Sequence, residues 1–311
     1  VNEVVSRWLE AVELAVVGKR STLELIVAGL IADGHVLLDD LPGVAKTLTA
    51  RSLAATAQFS FSRVQFTPDI LPSDITGAMV LDMSTNQARF APGPIFANLI
   101  LADEINRAPA KAQSALLEAM QERQTTVDGV SHLLPRPFLV IATQNPVESE
   151  GTYPLPEAQI DRFIIRTTIG YPTADDEVEL LARRMKRASD ELPLAPVIDI
   201  AAFRSLQVLA EHVHVDPSLL EYIVALVQST RLDRDVEVGS SPRGSLALLK
   251  LSRAIAVING RDFVTPDDIR RIAVPGLAHR LVLSAEAWAR RPDPDDIVSR
   301  CINQVPTPHW S

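Results

Sequence analysis

Short aliphatic runs, apolar at nearly every position, recur through the first half of the chain at His35–Leu38, Asn98–Ala102, Phe138–Ala142 and Phe163–Ile165. Runs without polar alternation predict strands buried on both faces, as in a parallel sheet covered by helices. Arg63–Phe66 alternates polar and apolar residues instead and reads as a half-exposed edge strand. Between the runs lie helical patterns, clearest in Lys111–Arg123, where Ala112, Ala115, Leu116, Ala119 and Met120 share one helical face. Alternating strand and helix predicts an α/β fold.

The pattern changes after Tyr171-Pro172. Helix starts now dominate, at Asp216-Pro217, Thr265-Pro266-Asp267-Asp268 and Asp295-Asp296, where a cap, an N1 proline or first-turn acids complement the exposed N–H groups and the helix dipole. Leucine-rich amphipathic stretches follow at Leu219–Val227 and Leu246–Ile258. The expected organisation is a core over 1–172 and a mainly helical second domain over 173–311, with no internal repeat.

Composition narrows the class. The 311 residues carry 30 Lys+Arg against 39 Asp+Glu, a net charge of −9, with 47% apolar and 5% aromatic residues. An aliphatic-rich, acidic chain folds but lacks the basic footprint of a nucleic-acid binder. The single cysteine, Cys301, cannot form an internal disulfide, so a cytoplasmic location is expected. The apolar run Leu25–Ala32 stops at Asp33, well short of the ~20 residues that span a bilayer. Val1–Trp8 has no basic segment feeding an apolar one, so neither a span nor a signal peptide is expected, and the start at Val leaves open that native N-terminal residues are missing. His212 and His214, two apart and without cysteine nearby, do not predict a zinc site.

Two segments carry chemistry. Asp39-Asp40-Leu41-Pro42-Gly43-Val44-Ala45-Lys46-Thr47 follows the first aliphatic run and precedes a helix. A strand, a tight loop, Lys-Thr and a helix wrap backbone N–H groups around phosphates, with Lys46 reaching the β/γ-phosphates and Thr47 a Mg²⁺ ion. The strict phosphate-loop pattern fails twice, with Asp40 and Ala45 in glycine positions, so an ordinary β–α turn is the alternative. The second segment, Leu99–Glu104, ends an apolar strand in two acids. Of the paired acids in the chain, Asp175-Asp176, Asp267-Asp268 and Asp295-Asp296 read as helix-start charges and Asp39-Asp40 lies in the loop; only Asp103-Glu104 terminates a buried strand. There Asp103 can hold Mg²⁺ through water and Glu104 can polarise the water that attacks the γ-phosphate.

With these, Pro42–Thr47, Leu101–Ala108, Ala142–Pro146, Leu155–Phe163 and Ser241-Pro242-Arg243 form an ordered set that resembles the MoxR family of AAA+ ATPases from about residue 10 to the C-terminus. Ala45 is common in that family. The resemblance implies an AAA+ core with a parallel sheet, a helical lid, ATP/ADP held by Pro42, Gly43, Val44, Ala45, Lys46, Thr47 and Leu48, and Mg²⁺ held by Thr47 and Asp103. It makes Asn145 sensor 1, Arg162 an arginine finger acting in trans, and Arg243 sensor 2, reaching back from the lid to the phosphates. Asn145 capping a turn before Pro146, and Arg162 paired with Asp161 or Glu157, are the plainer alternatives. Val16-Val17-Gly18-Lys19 matches the adenine-lining segment, with Val17 and Gly18 the candidate contacts.

Two hairpins are expected. Ala78–Asp82 and Gln87–Ala91 around Ser84-Thr85-Asn86 match an insert interrupting the second core helix, and Thr125–His132, with its central Asp128-Gly129, matches a hairpin before sensor 1. Either could be a plain surface loop. The clade includes magnesium chelatase and replicative helicases, but residues 78–88 and 125–132 hold no Lys or Arg. That favours protein clients over nucleic acid. The resemblance further implies a homo-oligomer, a hexameric ring, acting with von Willebrand factor A domain proteins to remodel, mature or assist metal insertion into complexes. A nucleotide-binding scaffold with little turnover, and a nucleic-acid motor of the same clade, remain alternatives.

Overall fold

The structure, a computed structural model, describes residues 2–41, 43–84, 86–145, 152–189, 192–290 and 292–308. Helices α1 (Asn2–Glu13) and α2 (Arg20–Ile31) precede strand β1 (Val36–Asp39), helix α3 (Lys46–Thr56) and strand β2 (Phe61–Gln65). A short helix α4 (Pro72–Thr76) leads into β3 (Gly77–Asp82) and β4 (Gln87–Pro92). Then come β5 (Leu99–Asp103), α5 (Ala110–Glu122), β6 (Gln124–Val127), β7 (Val130–Leu133), β8 (Leu139–Gln144), α6 (Glu157–Ile160) and β9 (Ile165–Thr167). The rest is mostly helical: α7 (Ala174–Arg187), α8 (Ile200–His212), α9 (Pro217–Leu232), β10 (Val236–Val238), α10 (Pro242–Ile258), α11 (Pro266–Leu277), β11 (Val282–Leu283), α12 (Ala285–Arg290) and α13 (Pro294–Gln304).

Five strands form one parallel sheet in the order β2-β5-β8-β1-β9. Their aliphatic runs divide by parity. Val36, Leu38, Leu99, Leu101, Leu139 and Ile141 enter one core, and Leu37, Ile100, Ala102, Val140 and Ala142 enter the other. Strand side chains alternate between faces, so continuous apolar runs are what a sheet with two cores requires. The first core continues without a break through α1, α2 and α3 into α8, α9, α10 and α11, so the helical second half packs directly on one face of the sheet. The second core lies under α4 and α5.

Where the structure departs from the sequence reading, the causes are local. The run Phe163–Ile165 is strand only from Ile165, because the Phe163 N–H closes a turn on the Ile160 carbonyl. Phe163 and Ile164 are apolar because they fill the core. The β3–β4 hairpin follows the one-turn helix α4 directly, as the expected insert does, and among the described residues no helix resumes between Pro92, which ends β4, and β5. Thr85, in its turn, lies outside the described residues. Helix α13 starts at Pro294 with Asp293 as its cap, accepting from the Asp295 N–H at 3.0 Å, so Asp295-Asp296 sit in its first turn. The second hairpin turns at Asp128 (φ 48°) and Gly129 (φ 79°), both left-handed, as a two-residue I′ turn demands. A stacked pair, Phe90 and His132 at 3.9 Å, joins the two hairpins. Among the described residues no helix is long and apolar enough to cross a membrane, and no cluster of three His, Cys, Asp or Glu could hold a metal on its own.

Candidate nucleotide site

In a parallel sheet, ligands bind beyond the carboxyl ends of the strands. Here those ends are Asp39, Asp103 and Gln144, on β1, β5 and β8, with β8 between the other two. After β1 the chain turns through Gly43 (φ 86°), where an added Cβ would meet nothing within 4 Å, and Ala45 (φ 62°), which starts α3 without a side-chain cap. The first N–H groups of α3, at Lys46, Thr47 and Leu48, are therefore left for an external acceptor. This open cradle fits a phosphate group. Lys46 is buried and its Nζ donates to the Asp40 carbonyl at 2.7 Å, within the loop it would serve. Val44 is buried as well. Pro42 lies outside the described residues.

Asp40 explains its own departure from the glycine rule. Its carboxylate accepts the N–H of Ile169 at 2.5 Å and of Gly170 at 2.9 Å, tying the base of the loop to the segment between β9 and α7. The same segment gathers the adenine-side candidates. Lys19 Nζ donates to the Tyr171 carbonyl at 2.7 Å, and a Cβ on Gly18 (φ 71°) would collide with the Asp176 carboxylate. Val17 is buried next to it. Val17, Gly18 and Gly43–Leu48 are thus linked through residues 169–176.

The acids at the end of β5 have partners on both neighbouring strands. Asp103 Oδ1 accepts the Thr143 hydroxyl at 2.7 Å, and Oδ2 accepts Arg63 Nε and Nη2 at 3.0 and 2.8 Å. The Thr143 hydroxyl oxygen in turn accepts the Glu104 N–H at 2.9 Å, holding Glu104 in a left-handed conformation (φ 57°). Glu104 Oε2 accepts Gln65 Nε2 at 2.8 Å and lies 3.3 Å from Arg107 Nη1. Asn145, buried, follows β8 directly and so lies between the Asp103 strand and the β1 loop. Hydroxyl and carboxylate oxygens, as on Thr47 and Asp103, are the hard donors a Mg²⁺ ion takes when phosphates complete its shell. Of these residues the sequence reading missed Arg63, Gln65 and Thr143; the period-two spacing of Arg63 and Gln65 on the edge strand was the available signal.

Arg162 and Arg243 lie elsewhere. They share a cavity of ≈ 310 Å³ with residues 32–35, which precede β1, and with Arg123 and Lys250. The Lys46 loop follows β1, so the two sites occupy opposite ends of the sheet. Arg243 therefore does not reach back to phosphates bound by its own chain, as the sequence reading had it: α10 begins beside Asp161, with Arg243 Nη1 3.5 Å from Asp161 Oδ2. Nor does Arg162 pair with Asp161. Its Nη1 donates to the Leu117 carbonyl at 2.6 Å, and its buried Nε has no hydrogen-bond partner among the described residues. Asp161 is taken by buried Arg280, which grips both its carboxylate and its carbonyl and also donates to the Phe163 carbonyl.

Comparison with known proteins agrees with this architecture. Residues 35–165 match the ATPase family associated with various cellular activities, and residues 228–301 match an AAA lid domain. The chain is 46% identical to the protein YeaC of Bacillus subtilis, itself uncharacterised, over 99% of this chain and 96% of that one. It is 40% identical to "Chaperone MoxR1" of Mycobacterium tuberculosis, over 97% and 82% respectively. A crystal structure from Cytophaga hutchinsonii, described as that of a candidate ATPase, superposes with a TM-score of 0.92 at 37% identity, covering 99% of this chain and 96% of that one.

Proposed function

The chain is a member of the MoxR family of AAA+ ATPases, and from that premise we propose that it hydrolyses ATP in a homo-oligomeric, hexameric ring, each site being completed by the neighbouring subunit. In this reading an ATPase core over 1–172 carries the nucleotide and a helical lid over 173–311 carries Arg243. The N–H groups of Gly43–Leu48 and the Lys46 ammonium bind the phosphates, and Val17 and Gly18 border the adenine. Thr47 and Asp103 would hold Mg²⁺, which would supply neutralisation of the phosphate charge. Glu104 accepts a proton from the attacking water, and Asn145 orients that water.

The observation that carries this reading is the convergence of the uncapped α3 start with Asp103, Thr143 and Asn145 at one end of the sheet. The placement of Arg162 and Arg243 together at the other end supports their acting on a neighbour's phosphates. An arginine supplied in this way is worth ~10³–10⁵ in rate, or about 4–7 kcal/mol. Turnover is then a property of the assembly.

A chaperone-like output is favoured over a nucleic-acid motor. A relative bears the name chaperone, the net charge is −9, and both hairpins present apolar residues, Met79, Leu81, Met83, Val130 and Leu133. The clients in this reading are cytoplasmic protein complexes, matured or supplied with metal together with von Willebrand factor A domain partners. Glu104→Gln tests the catalytic part: it binds and retains ATP with Mg²⁺ and stays assembled, with turnover down by two orders of magnitude or more. Hydrolysis at the wild-type rate would overturn the assignment, and a wild type that binds ATP but never turns it over would favour a nucleotide-binding scaffold.

A further inference from the structure

Asp103 is buried, with 9% of its side chain exposed, and its charge is already balanced. The guanidinium of Arg63 closes on Oδ2 with two donors at 3.0 and 2.8 Å. Arg63 itself is 46% exposed and stands on the edge strand β2, opposite Leu101 of β5. The pair is unequal. Arg63 can swing into water at little cost, whereas Asp103 cannot be left as a lone buried charge and needs a cation beside it. A positive charge in contact with Oδ2 also repels any second cation that approaches the same carboxylate.

We propose that Arg63 stands in for the divalent cation at Asp103 while no nucleotide is bound, and so makes metal binding conditional on nucleotide. The inference rests on the assignment of Mg²⁺ to Thr47 and Asp103 above. With Arg63 in place, one neutralised carboxylate and a threonine hydroxyl offer too little to capture a free ion, and among the described residues no cluster of three acidic, imidazole or thiol groups forms a metal site without them. Phosphate oxygens delivered by a nucleotide tip the balance, and Arg63 then yields or shares Oδ2. The same face of β2 holds Glu104 through Gln65, so one edge strand restrains both carboxylates.

The test is Mn²⁺ binding, read without nucleotide from the free-ion electron paramagnetic resonance signal, and with a non-hydrolysable ATP analogue from the Mn²⁺ retained by the protein after gel filtration has removed unbound analogue and its chelated metal. The proteins are wild type, Arg63→Gln, Arg63→Lys, and Arg63→Gln combined with Asp103→Asn. Arg63→Gln keeps a donor beside Asp103 and removes the charge; Arg63→Lys keeps the charge. Wild type and Arg63→Lys should take up Mn²⁺ only with the analogue. Arg63→Gln should bind Mn²⁺ without nucleotide at least tenfold more tightly than wild type, and Asp103→Asn should remove that gain. Equal nucleotide-free binding by wild type and Arg63→Gln overturns the stand-in role alone. If no protein, wild type included, binds Mn²⁺ even with the analogue, the metal assignment fails and this inference with it.

Discussion

Arg243 meets Asp161, its Nη1 3.5 Å from Oδ2, and so stands beside Arg162 of its own chain instead of beside Lys46. Asp161 is also the anchor of Arg280, whose side chain is only 3% exposed. One carboxylate thus joins the helical second half to the segment that carries Arg162.

Asp161→Ala should therefore act on stability and on turnover together. Removing one partner of a buried ion pair leaves Arg280 uncompensated, at a cost of roughly 3 kcal/mol. Urea denaturation should show that loss, and ATPase activity should fall because both Arg243 and the Arg162 segment lose their support. A change within about 0.5 kcal/mol would mean the anchor is dispensable.

Gln65→Ala should raise basal turnover by about threefold, with KM for ATP little changed. The amide hydrogen-bonds Glu104 toward the edge strand, away from the β1 loop two strands over, and such a bond to a charged group is worth about 1.5–3 kcal/mol before solvent exposure reduces it. Steady-state kinetics that show a KM change with constant kcat would contradict a restraint on Glu104.

Much of this was legible in the sequence. The runs around Leu37, Leu101 and Ile141 are apolar at every position because the sheet has a core on each face, and the Asp128-Gly129 turn followed from two residues that tolerate positive φ. What was not legible depends on contacts distant in sequence. Arg63 and Asp103 are 40 residues apart, and Asp161 and Arg280 are 119 apart. Nothing local in Ser241-Pro242-Arg243 says which end of the sheet its helix will meet; that is set by the packing of α10 across α2 and α8. Asp40 looked like a defect in a phosphate loop, and its reason lies at Ile169 and Gly170.

Asp40→Ala should weaken nucleotide binding without touching the nucleotide. It frees the segment after β9 from the loop and deletes two charge-assisted hydrogen bonds, each worth about 1.5–3 kcal/mol. Equilibrium titration with a fluorescent ATP analogue should give a Kd raised by tenfold or more, and the urea midpoint should drop. Unchanged affinity would remove Asp40 from the account.

Acid should destabilise the fold well above the carboxylate range. Burial, with Arg123 nearby, lowers the His35 pKa to about 3, and burial likewise lowers that of His279. His35 accepts the Val140 N–H on Nδ1, and its Nε2 lies 3.2 Å from the Met120 carbonyl, an arrangement the neutral ring satisfies. Below about pH 6.5 the unfolded chain takes up protons that the folded chain refuses, so stability falls with falling pH by about 1.4 kcal/mol per unit for each such histidine. Urea denaturation near pH 7 and near pH 5.5 should show this loss, smaller in His35→Asn. An identical pH slope in that variant would contradict it.

The central claim, that each nucleotide site is built from two subunits, is tested most directly by mixing two inactive variants. Lys46→Ala lacks a working phosphate loop but keeps Arg162 and Arg243; Arg162→Ala with Arg243→Ala keeps the loop and lacks both arginines. Each alone should show ATPase activity near background. In co-assembled rings, an intact loop on one subunit faces intact arginines on the next, so activity should reappear, up to about a quarter of wild type for random mixing of equal amounts. Co-assembly without any recovery, or full turnover by the arginine-free variant on its own, would contradict the two-subunit site.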